Sequence, residues 1–110
     1  MLFGTQPGRI PFESHLEKLK EPARTIMVDL RKFVISLGSN VIEEIRPHRI
    51  VYAKTMNFRI FLDIEPMAGD SLILSIRYGR DMPPITVMVM SMKDAQLAKK
   101  QIAEAYQKIH

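Results

Sequence analysis

Two carboxylate pairs are the residues of this chain whose spacing could do chemistry: Glu43-Glu44 beside Arg46, and Asp63 with Glu65. On a strand, positions i and i+2 project from one face, a spacing that could hold a divalent cation for metal-assisted hydrolysis. A metal nuclease of that design also wants a lysine two positions beyond its second acid, and Met67 stands there instead. The favoured reading of Asp63 and Glu65 is therefore edge-strand charge that deters sheet-to-sheet pairing. The chain has no cysteine, which excludes thiol nucleophiles, disulfides and thiolate metal sites together. No serine lies in a Gly-x-Ser-x-Gly elbow, and no glycine belongs to a dinucleotide or Walker-type phosphate loop. His15, His48 and His110 match no metal-ligand spacing and read as solvent-facing side chains. The sequence thus points to no cofactor and no metal, and catalysis is its least favoured function.

A second constellation lies around Arg59 and Arg77. If Met67-Ala68-Gly69 is a three-residue hairpin loop, position 64 pairs with 72 and 62 with 74, and Arg59 falls opposite Arg77. Like charges across a strand pair are destabilising unless something neutralises them. The same alternation puts Phe61, Ile73 and Ser75 on that face, with Thr86, Met88 and Met90 from the last strand, and Ile50, Tyr52 and Lys54 join them if the Thr55-Met56 turn is tight. The candidate binding residues are Tyr52, Lys54, Arg59, Phe61 and Arg77. Arginines and rings on an open sheet could receive a nucleotide or single-stranded nucleic acid. The favoured reading is that this face packs on a helix or on a second copy of the protein, the arginines pairing with Asp63, Glu65 or helix carboxylates.

These side chains need a sheet to hold them. Phe58, Ile60, Leu62 and Ile64 alternate with Arg59, Phe61, Asp63 and Glu65; Leu72, Leu74, Ile76 and Tyr78 alternate with Ile73, Ser75 and Arg77. Period two marks strands with one buried face, and the Pro66-to-Ser71 break makes the two runs a hairpin. Arg49 to Thr55 and Ile85 to Met90 supply two further strands, while Val41 to Ile45 fits either a short helical turn or a strand. Ser14-x-x-Glu17 has the form of a capping box opening a short helix that ends or kinks at Pro22. Ala23, Ile26, Met27, Leu30, Phe33, Val34 and Leu37 form the stripe of the main helix, with Gly38 as its C-terminal cap. Val28 and Ile35 lie nearly opposite that stripe; two exposed apolar residues are ordinary on any surface, and the alternative is that a neighbouring element or a second subunit covers them. Ser91 with Asp94 signals a last helix, whose stripe is Ala95, Ala98, Ile102, Ala105, Tyr106 and Ile109. The fold class expected is α+β: one domain over residues 1–110, with a loose arm at 1–11. Its four-stranded antiparallel meander sheet is flanked by an N-terminal long helix and a C-terminal helix.

A chain of 110 residues with 46% hydrophobic content can build one core unaided. Its formal charge of +4, from 16 basic and 12 acidic residues, is scattered rather than gathered in a stripe, so charge alone is weak support for nucleic acid. No run has the length of a signal peptide or a membrane span, and together with the absence of cysteine this implies a soluble, cytoplasmic protein.

At Tyr52-Ala53-Lys54-Thr55-Met56-Asn57-Phe58 the chain resembles a family of small prokaryotic domains of unknown function, found alone or at the C-terminus of larger proteins often labelled predicted transport proteins. The preceding helix over Ile26 to Leu37 and the closing Ala105-Tyr106 pair are similar too, so the resemblance spans about His15 to Lys108. It implies an α+β domain in a prokaryotic cytoplasm and brings no activity with it. The function expected is a non-catalytic interaction module, a homodimer or the receiver of another protein, using the second sheet face and the Val28/Ile35 flank. Nucleotide or nucleic-acid binding through Arg59 and Arg77 with Tyr52 and Phe61 is the alternative.

Overall fold

A computed structural model describes residues 10–67 and 69–109; the arm expected at 1–11 lies for the most part outside them. The elements are α1 (Glu13–Leu16), α2 (Ala23–Ile35), β1 (Val41–Ile45), β2 (Ile50–Lys54), β3 (Arg59–Met67), β4 (Ser71–Ile76), β5 (Ile85–Val89) and α3 (Met92–Lys108). The strands form one antiparallel sheet in the order β1-β2-β3-β4-β5, so each pairs with its neighbour in sequence. The architecture is a single α+β domain with five strands, one more than expected. The addition is β1, whose two central glutamates obscured the β-branched pattern of Val41, Ile42 and Ile45.

The core lies on one face of the sheet. Ile50, Tyr52, Leu62, Ile64, Leu72, Leu74, Ile76 and Val89 are buried there against Ile26, Met27, Leu30 and Val34 of α2 and Ala95, Ala98, Ile102 and Ala105 of α3. Each large apolar side chain so buried contributes roughly 1.5–3 kcal/mol. The alanine stripe of α3 brings that helix close to the strands. Asp29 of α2 pairs with Lys99 of α3 at 2.6 Å, and at the far end of the seam the Tyr106 hydroxyl donates to Asn40 Oδ1. A Cβ at Gly38 would run into that hydroxyl. Glycine is therefore needed there for close approach, and not for the left-handed cap expected of it, since α2 ends on a helical Ser36.

The caps differ in outcome. Ser91 opens α3 as expected: its Oγ accepts from Asp94 N–H at 3.1 Å, and Asp94 Oδ2 accepts from Met90 N–H at 3.0 Å. The Ser14 box does not form. The four residues of α1 follow Phe12 as N-cap, two positions before Ser14, with no side-chain cap. His15 is also not at the surface: it is buried, and its Nε2 donates to the Arg46 carbonyl at 2.8 Å, tying α1 to the β1–β2 turn.

Candidate functional site

Two departures from strict alternation decide where the expected binding residues go. The β3–β4 hairpin closes one residue later than anticipated, with Met67 opposite Ser71, Ile64 opposite Leu74 and Leu62 opposite Ile76. A bulge also interrupts β3: Tyr52 pairs with Leu62 but Ala53 with Ile60, leaving Phe61 as the extra residue. Arg59 therefore lies opposite Lys54, and Arg77 lies beside Phe61, whose carbonyl accepts the Arg77 N–H at 2.9 Å.

The consequence is a correction: the five candidate residues do not share a second sheet face. Phe61 is fully buried under α3, its ring edge-on to Tyr106 at 5.4 Å between centroids. Tyr52 is fully buried beneath α2, and its hydroxyl donates to Glu43 Oε2 at 2.8 Å. Lys54 also turns toward the helices, where its ammonium sits 4.4 Å from the Tyr106 ring centroid and donates to the Ile109 carbonyl at 2.9 Å. Three of the five candidates thus hold the helix layer to the sheet. Arg59 and Arg77 do come together, at the rim of a hollow of about 200 Å3 that Phe58, Ile60, Arg80 and Ile109 also line. Phe58 reaches it from the β2–β3 turn, where Met56 and Phe58 have φ of 75° and 48°. Such angles strain a side chain with a Cβ.

The opposite face of the sheet is ionic. Arg49 lies 3.8 Å from Asp63 and 3.9 Å from Glu65, and Glu44 pairs with Arg46 at 2.5 Å. Burial pushes the Asp63 carboxyl above its ordinary range, against the opposing pull of Arg49 and Arg77. Since β3 is the central strand, Asp63 and Glu65 guard no edge, contrary to the reading of them as edge charges. Among the described residues no group of three or more His, Asp or Glu side chains is placed to hold a metal ion. Val28 is half-buried, on a hollow of about 410 Å3 shared with Leu16 and with Met92 of α3, while Ile35 stays exposed.

Apolar exposure is concentrated elsewhere, along β5 and the start of α3. Met88 and Leu97 are 55% and 58% exposed, and Ile85, Met90 and Met92 are exposed with them. Val87, Met88, Leu97 and Ala98 line a groove of about 440 Å3 between strand and helix, with Asp94, Lys100 and Gln101 at its rim. Among the described residues β5 pairs with β4 alone, so its outer backbone edge has no strand against it. The sequence contained the signal in plain form: no charged residue stands between Asp81 and Lys93. Taken by itself, the run reads only as the strand expected over Ile85 to Met90.

No family model matches the chain, and neither a curated protein nor a solved structure is found to be similar to it. No described helix is long and apolar enough to cross a membrane.

Proposed function

We propose that this protein is a non-catalytic interaction module that receives an extended protein segment along the outer edge of β5. The observation that supports this most is an uncharged strand edge that no other strand covers among the described residues, with an apolar groove beside it. Backbone N–H and C=O groups on such an edge need partners, and strand addition supplies them while the groove accepts side chains. The partner is accordingly a β-forming, apolar segment of protein. Asp63 and Glu65 are engaged with Arg49, and the rings expected to stack on a base are packed beneath helices, so neither catalysis nor base stacking is favoured by these groups. A chain without cysteine suits a reducing cytoplasm.

Hydrogen exchange tests the reading. In dilute protein the outward-facing amides of β5 exchange rapidly while those of β3 are slow, and a bound partner slows the β5 set. Protection of every β5 amide in the dilute monomer would mean the edge is already closed, and the proposal would be lost.

A further inference from the structure

We infer that the segment received at β5 is β5 of a second copy, the two strands running antiparallel about a two-fold axis at Val87; this rests on the strand-acceptor function above. A closed dimer requires a patch that complements itself. With the axis normal to the sheet, Ile85 faces Val89 of the second copy, Thr86 faces its Met88, and the two sheets join into one. The same operation keeps both α3 helices on one side and sets them antiparallel. Leu97 lines the same groove as Val87 and Met88, and the axis that centres the strands would bring it toward its own copy.

Helical spacing then determines the charges. Asp94, three residues before Leu97, meets Lys100, three residues after it, and Lys93 meets Gln101. Opposite charges face each other twice across the axis. A partner of one strong charge would find no matching rim here, because acid and base alternate along it. The chain's overall +4 does not oppose the contact, since the patch itself has both signs.

Sedimentation equilibrium of the full chain, from low micromolar to millimolar, tests this with two single variants. Lys100→Glu sets Glu against Asp94, and Asp94→Lys sets Lys against Lys100, so each homodimer holds two like-charged contacts. Each should associate about tenfold or more weakly than the unsubstituted chain. An equal mixture should recover association, because a heterodimer of the two variants restores both opposite-charge contacts. Recovery on mixing is the expected result. A mixture no tighter than its components overturns the antiparallel arrangement. Asp94→Lys also removes the cap on Met90, so Leu97→Asp, at an exposed position, is the independent variant: it should leave the protein folded and monomeric, and an unchanged dimer would overturn the inference. A chain that stays monomeric at every concentration while its β5 amides exchange rapidly removes the second copy as occupant and leaves the open edge standing. Slow β5 exchange in that monomer removes the open edge as well.

Discussion

At one edge of the sheet β1 has glutamate at two of its five positions; at the other, β5 has no charge at all. Glu43 of β1 turns inward, where both its oxygens accept from Arg31 at 2.8 Å and one also accepts from the Tyr52 hydroxyl. Glu44 turns outward to Arg46. An inward charge with its partners fixes β1 in register, and an outward one makes the approach of another strand costly. β5 has neither device, and only Val89 of its residues is buried. The contrast teaches that charge is built into one edge and is absent from the other.

The largest expected effect comes from breaking the charged edge. Glu43→Ala leaves the Tyr52 hydroxyl and the Arg31 guanidinium without their shared acceptor, and should lower stability in urea unfolding by about 2–3 kcal/mol. Next is the phenol itself. Burial first, and the Glu43 carboxylate second, hold the Tyr52 hydroxyl far above the ordinary tyrosine range. A group raised in the folded state contributes stability that is complete below its unfolded value, about pH 10, and is lost as pH rises from there toward the folded value. Tyr52→Phe should cost about 1 kcal/mol near neutrality and flatten that alkaline decline in thermal unfolding scans. A smaller change, in the β2–β3 turn, is Met56→Gly. It relieves the positive φ of a residue that is 97% exposed and should raise stability by about 0.5–1 kcal/mol. The smallest is Met88→Lys on β5, expected to move stability by less than about 0.5 kcal/mol. It should nonetheless weaken association in sedimentation, which would sharpen the contrast: charge on β1 supports the fold, whereas charge on β5 affects only what docks there.

Much of the fold was legible because its buried residues keep period. Leu62, Ile64, Leu72, Leu74 and Ile76 face the core as alternation requires, and the α2 and α3 stripes lie where helical spacing puts them. The candidate site was not legible, and the bulge is the reason. One extra residue at Phe61 inverts the parity of everything between it and the β2–β3 turn, so Phe61 enters the core and Ile60 leaves it half-exposed. Nothing in the local residue types marks a bulge when both neighbours are apolar. β1 was obscure for a related reason: Glu43 is an inward charge whose partners, Arg31 and Tyr52, are twelve and nine residues away. Local pattern cannot report such a pair.

The strand order has a kinetic consequence. Because every ladder joins sequence neighbours, the loops that must close to build the sheet are short, and the chain entropy lost at each closure is small. The sheet should therefore zip up one hairpin at a time, placing this domain toward the faster end of mixed α/β folding. The contacts of greatest sequence separation, α2 against α3, would then be left to form on a surface already assembled.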